Sequence, residues 1–193
     1  MGFRNMRLNR VLFPVDTLGG KNRIGVWFQG CKKKCPGCLS PETHDLQGGF
    51  FCSSEELFEN IPLGVQIEGM SVSGGEPFDQ PEELYELVCR FAERFSDDII
   101  IFTGYRLEEL QKNPQIDMER FIKKIAVLID GRYVEEKNNG KGFRGSDNQK
   151  IHVFRYFEKY MDSESWDRQL QLIEMEGKLV FIGIPPRNSK GEE

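Results

Sequence analysis

The chain lacks any long hydrophobic run. No stretch of its 193 residues approaches the ~20 apolar residues that span a bilayer. It also lacks an excess of positive charge. Lys and Arg number 26 against 31 Asp and Glu, a net charge of −5, which is a poor footprint for nucleic acid or an anionic membrane. The N-terminal residues mix Arg and Asn with isolated apolar side chains and lack the apolar stretch of a secretory signal, so a cytoplasmic protein is expected. Internal repeats, low-complexity tracts and an interdomain linker are missing too, and the length suits one domain. The cysteines do not make a disulfide framework. Five is an odd number, and three of them fall within eight residues, a clustering that fits metal binding.

What is present is an alternation of short apolar runs with helical patterns. Residues 24–28, 69–73, 99–103 and 126–130 read as buried strands, and 151–154 and 178–184 as further strands. A helix is expected over 55–60, capped by Ser53 or Ser54. The clearest helix opens at Pro81 and carries Leu84, Leu87, Val88, Phe91 and Phe95 on one face. Shorter helices are expected around 107–110 and 118–124. Residues 131–145 form a long loop rich in Gly and Asn. The stretch 157–176 reads as a polar helix with Trp166, Leu170 and Ile173 as a weak stripe, and 187–193 as a frayed tail.

Strands separated by helices predict the α/β class with a parallel sheet, and ligands of such sheets gather beyond the C-terminal strand ends. Cys31, Gly74, Thr103 and Asp130 all fall at or just after those ends, so one shared site is expected. Within it, Cys31-Lys32-Lys33-Lys34-Cys35-Pro36-Gly37-Cys38 places three thiols in a single short loop. Short spacings let thiolates reach different irons of a cubane, and three ligands leave one iron open. A structural zinc loop is the competing reading, with His44 as fourth ligand. Gly74-Gly75-Glu76-Pro77 suits close approach of backbone to a ligand. Cys52 and Cys89 stand apart and read as structural.

The cysteine spacing, followed by Gly74-Gly75-Glu76-Pro77, resembles the radical S-adenosylmethionine (SAM) superfamily, activating-enzyme type. Further matching stretches are Trp27-Phe28-Gln29-Gly30, Ser40-Pro41-Glu42-Thr43, Thr103-Gly104-Tyr105, Leu128-Ile129-Asp130-Gly131-Arg132 and Arg144-Gly145-Ser146 with Asn148-Gln149. Two features differ from the family pattern. Leu18 to Arg23 stand where an Asp-Gly-Pro-Gly-like stretch is usual, and the tail beyond Phe154 is longer than the smallest members need.

The resemblance implies an incomplete open (β/α) barrel over a single domain 1–193, with a core over 7–154 and a helix-strand extension over 155–193. It implies a [4Fe–4S] cluster on Cys31, Cys35 and Cys38, and no catalytic side chain beyond that cluster. SAM would meet Gly37, Cys38, Leu39, Gly74, Gly75 and Glu76, with Thr103 and Asp130 near SAM or an associated cation. The implied chemistry is reductive cleavage of SAM to a 5′-deoxyadenosyl radical. The implied partner is a glycyl-radical enzyme, first an anaerobic ribonucleotide reductase. Alternatives are a small radical SAM enzyme acting on another peptide or metabolite, and a non-catalytic iron–sulfur or zinc module. From charge alone, Lys32, Lys33 and Lys34 suit the docking of an acidic flavodoxin-like electron donor.

Overall fold

The structure, a computed structural model, describes residues 4–61, 64–175 and 177–186; the tail expected over 187–193 lies outside them. Nine strands occur among the described residues: β1 (Asn5–Val15), β2 (Arg23–Phe28), β3 (Phe50–Ser53), β4 (Gly69–Gly74), β5 (Ile99–Phe102), β6 (Val127–Asp130), β7 (Lys150–Val153), β8 (Leu170–Met175) and β9 (Lys178–Gly183). The first seven form one sheet in the order β3-β1-β2-β4-β5-β6-β7, and β8 pairs with β9 in a hairpin. At the centre, β2, β4, β5 and β6 run parallel. At the margins, β1 is antiparallel to β2, β3 to β1 and β7 to β6. The α/β class therefore holds, with a parallel centre and antiparallel margins.

The central strands are buried on both faces, which is why they are apolar runs and not alternating patterns: every residue of β2 and of β6 is buried. The helices are α1 (Ser54–Glu59), α2 (Pro81–Arg94), α3 (Leu107–Lys112), α4 (Met118–Ile122) and α5 (Phe157–Tyr160). Ser53 caps α1 in a reciprocal box with Glu56. On α2, Leu84, Leu87, Val88 and Phe91 are fully buried, each worth about 1.5–3 kcal/mol of burial. These side chains join Leu57 and Phe58 of α1, Leu110 of α3 and Met118 and Phe121 of α4 on one face of the sheet. The other face, with Trp27, Ile100, Val127 and Ile129, is covered by Tyr160, Phe143, Ile182 and Ile184. Helices α1 to α4 thus lie on one side, and the C-terminal segment with α5 on the other.

The helix expected over 157–176 is corrected. Only Phe157–Tyr160 is helical; a 3₁₀ turn follows at Ser163–Ser165, and Leu170–Met175 is strand β8. The sequence Leu170-Gln171-Leu172-Ile173-Glu174-Met175 carries apolar residues on both faces of a strand, which mimics a helical stripe until β9 pairs with it. β1 and β3 were likewise not expected. In β1, Met6 and Leu8 alternate with Asn5, Arg7 and Asn9, a period of two diluted by bulges. No helix among the described residues is long and apolar enough to cross a membrane.

Candidate functional site

The loops that leave β2, β4, β5 and β6 converge at one end of the sheet and enclose a cleft. Beyond Phe28 the chain turns through Gly30, at φ +98°, into Cys31. The loop after β4 lies directly alongside. Gly75 N–H donates to the Phe28 carbonyl at 2.8 Å, and Glu76 N–H to the Gly30 carbonyl at 2.9 Å. The parallel pairing thereby runs past the strand ends. A Cβ on Gly74 would sit 2.5 Å from the Phe28 oxygen, and one on Gly75 2.2 Å from the Gly30 oxygen. These two glycines let backbone approach backbone, where the motif alone suggested an approach to a ligand.

Glu76 is buried and turned inward. Its carboxylate accepts from Thr103 Oγ1 at 2.7 Å, Gly104 N–H at 2.9 Å and Phe78 N–H at 3.2 Å. Burial pushes its pKa up to about 7, against these three donors and the nearby Lys33 ammonium, which all favour the charged form. Lys33 belongs to the same group. Its Nζ lies 3.2 Å from the centre of the Tyr105 ring, and its stem fills the space a Gly104 side chain would need. The three lysines read as one basic loop tip are therefore split: Lys32 and Lys34 are exposed, while Lys33 folds into the cleft.

The three thiols face this cleft together. Cys31 is buried, and Cys35 and Cys38 are half-buried. Burial raises the Cys31 thiol, opposed by the N–H groups of Lys33 and Lys34 and reinforced by Glu76 and Cys35. Burial raises Cys38 as well, opposed by Ser40 N–H, which points at its Sγ from 3.5 Å, and reinforced by Cys35 and Cys31. A set of thiols that repel one another once ionised, with backbone N–H groups meeting Cys31 and Cys38, suits an iron–sulfur cluster, whose sulfurs take such hydrogen bonds. Among the described residues, no three His, Cys, Asp or Glu side chains converge as ligands of a single ion, the arrangement a zinc loop completed by His44 needs. Thiolates of a cubane go to three separate irons and stand further apart.

Leu39, Gly74, Gly75, Glu76 and Thr103 line the cleft with the cysteines. Two of the expected residues do not. Gly37, at φ +68°, turns the cysteine loop against Glu135 and Tyr133. The Asp130 carboxylate accepts from Leu107 N–H at 2.7 Å and Lys150 N–H at 3.3 Å, and meets His152 Nε2 at 2.9 Å. Burial raises Asp130, but His152 and the two N–H groups outweigh it and hold the pKa below the usual range. It joins the start of α3 to β7, away from the cleft.

Several residues that shape the site were not assigned to it from the sequence. Gln29 is buried and donates to the Asp45 carbonyl at 2.7 Å, tying the cysteine loop to β1 through Asn9. Gln149 accepts from Gly145 and Ser146 N–H and donates to the Gly131 carbonyl, shaping the loop opposite the cysteines. Phe181, Ile182, Gly183 and Ile184 bring the C-terminal hairpin to the cleft wall. Gln29 and Gln149 lie in matched stretches; nothing local to β9 announces a cleft residue. Cys52 and Cys89 lie outside the cleft, as their isolation suggested.

Comparison with known proteins agrees with this geometry. Residues 18–152 match the family model described as a 4Fe-4S single cluster domain. The anaerobic ribonucleoside-triphosphate reductase-activating protein of Enterobacteria phage T4 is 31% identical over 147 residues, 72% of this chain and 90% of that protein. Its counterpart in Escherichia coli K12 is 33% identical over 152 residues, 74% of this chain and 96% of that protein. The pyruvate formate-lyase-activating enzyme of Clostridium pasteurianum is 30% identical over 137 residues, 65% of this chain and 53% of that enzyme. The chain belongs to the 4Fe–4S single-cluster family of radical SAM enzymes, activating-enzyme type.

Proposed function

We propose that this protein installs a glycyl radical on a partner enzyme, in the first place an anaerobic ribonucleotide reductase. The observation that carries the reading is the common cleft: the three thiols of one loop face the Gly74–Glu76 turn and Thr103 across it. Cys31, Cys35 and Cys38 would hold a [4Fe–4S] cluster, and Cys38, Leu39, Gly74, Gly75, Glu76 and Thr103 would flank SAM. Gly37 and Asp130 would act on that site from behind, by setting the cysteine loop and the start of α3. Bound there, the two cofactors supply reductive cleavage of a sulfonium and abstraction of a hydrogen atom. The protein's part is to orient and to exclude water, which Leu18, Trp27 and Phe102 do as an apolar wall of the same cleft.

Helices α1 to α4 on one face of the sheet support an incomplete (β/α) barrel over a two-sided α/β layer, and the C-terminal segment packed into the second core supports one domain. Lys32 and Lys34, exposed beside the cluster loop, would receive an acidic flavodoxin-like donor in the cytoplasm. The test is anaerobic reconstitution with iron and sulfide, then reduction in the presence of SAM and the reductase. The expected products are 5′-deoxyadenosine, methionine and a glycyl doublet in the electron paramagnetic resonance spectrum of the reductase. Cleavage of SAM without a doublet on any glycyl-radical enzyme would shift the reading to another peptide or a metabolite. Stoichiometric zinc without sulfide would remove the enzyme altogether.

A further inference from the structure

We propose that the β8–β9 hairpin is a docking surface for the polypeptide segment that carries the partner's target glycine; this rests on the functional reading above. Pairing of Leu172 with Phe181 and of Glu174 with Leu179 sets Leu170, Leu172, Leu179 and Phe181 on one face. They are 43%, 51%, 66% and 66% exposed, and Glu174 is the acidic residue among them. A hairpin this small seldom turns four large apolar side chains to water without a use for them. Its other face is anchored: Ile182 is buried, and Ile173, Met175 and Val180 pack on the second core. Thr17 Oγ1 donates to the Ile182 carbonyl at 3.0 Å, and Gln171 Nε2 to the Pro14 carbonyl at 2.9 Å. The apolar face is therefore held in place.

Two observations say what covers it. The face runs into the cleft, because Phe181 belongs to it and also lines the cleft with the cysteines. The hairpin also lies beyond residues 18–152, the part matched by the family model. A glycine offers no side chain to grip, so a protein that must present one Cα in a cleft is recognised through the residues flanking it. An apolar face continuous with the cleft mouth meets apolar flanking residues, with Glu174 facing a basic one.

The experiment measures binding of an anaerobic ribonucleoside-triphosphate reductase from the same organism to the reconstituted protein. It compares wild type, the double change Leu172→Ser with Leu179→Ser, and Met161→Ser, an equally exposed apolar residue just after α5. The double change is expected to weaken binding about tenfold or more with iron and sulfide content retained, while Met161→Ser binds like wild type. Equal binding by all three, with the glycyl doublet still formed, overturns the docking surface and leaves the functional reading standing. Failure of wild type both to bind and to form the doublet overturns both. A concentration-dependent dimer that the double change dissolves assigns the face to a second copy and overturns the proposal.

Discussion

The two ends of the central strands bury ionisable groups in opposite ways. At their N-terminal ends, the fully buried Arg23 donates to Ser71 Oγ, to the Met70 and Asp98 carbonyls, and pairs with the Asp98 carboxylate at 3.2 Å. Tyr160 O–H donates to Asp98 at 2.6 Å, and Lys159 Nζ lies 2.6 Å from its other oxygen. Cations, anions and donors cancel there, and the network joins the C-terminal segment to the sheet. At the C-terminal ends, Glu76, Cys31 and Cys38 are acidic groups crowded together, each raised by burial and with Lys33 drawn in among them. A balanced set of charges holds a fold; thiols and a carboxyl held toward their protonated forms at a cleft are groups that a metal-bearing guest would deprotonate on binding.

The comparison breaks most visibly at the thiols. Cys31→Ala, Cys35→Ala or Cys38→Ala should abolish the roughly four irons and four sulfides of a reconstituted cluster, whereas Cys52→Ala and Cys89→Ala should keep them, as iron and sulfide assays would report. The opposite end should answer in stability. Arg23→Met leaves Asp98 buried with Lys159 as its remaining ion pair, so urea unfolding of the metal-free chain should show a loss of about 3 kcal/mol, the low end for a broken buried pair. Adding Asp98→Asn should cost less than the two changes summed, since they share one interaction.

Gly75→Val tests whether the glycines serve backbone or ligand. Overpacking against the Gly30 carbonyl should cost about 1–3 kcal/mol and lower iron content, because Gly30 adjoins Cys31. Full iron content with SAM binding alone weakened would return Gly75 to a ligand-facing role. Glu76→Gln should act through pH. The Glu76 pKa rises from 4.5 in a free carboxyl to about 7 on folding, so the stability it contributes is complete below pH 4.5 and lost as pH rises through about 7. The unfolding free energy of the metal-free chain should fall with rising pH across that window by at most about 1.4 kcal/mol per unit, and the Gln variant should flatten that slope. An unchanged slope would show that Glu76 is already charged at pH 4.5. The smallest effect belongs to the exposed lysines. Lys32→Gln with Lys34→Gln should slow reduction by a flavodoxin at low salt, and the difference should shrink as ionic strength brings the Debye length below ~8 Å. A loss independent of salt would place their role in the cluster potential.

The cysteine loop, the positions of the central strands and the amphipathic face of α2 were legible in the chain because each depends on residues close in sequence. Thiol spacing, apolar runs and a three-to-four-residue period are local properties. The strands β1, β3 and β8 were not legible, because each is specified by a partner strand: β3 by β1, and β8 by β9. The site divides the same way. Cys31, Cys35, Cys38, Gly74, Gly75, Glu76 and Thr103 could be named from motifs, and the structure sets them around one cleft. What each one does there was decided in three dimensions.

The sequence by itself determined the α/β class and the three-thiol loop, since patterning and ligand spacing survive any rearrangement of distant segments. Tertiary structure alone decided that Gly74 and Gly75 serve the close approach of two loops, and that Lys33 leaves its neighbours for Tyr105. It also turned Asp130 toward Leu107 and His152 and carried Phe181 to the cleft. Such outcomes depend on which backbones lie within ångströms of one another, and chain closure across more than a hundred residues leaves no mark in a local pattern.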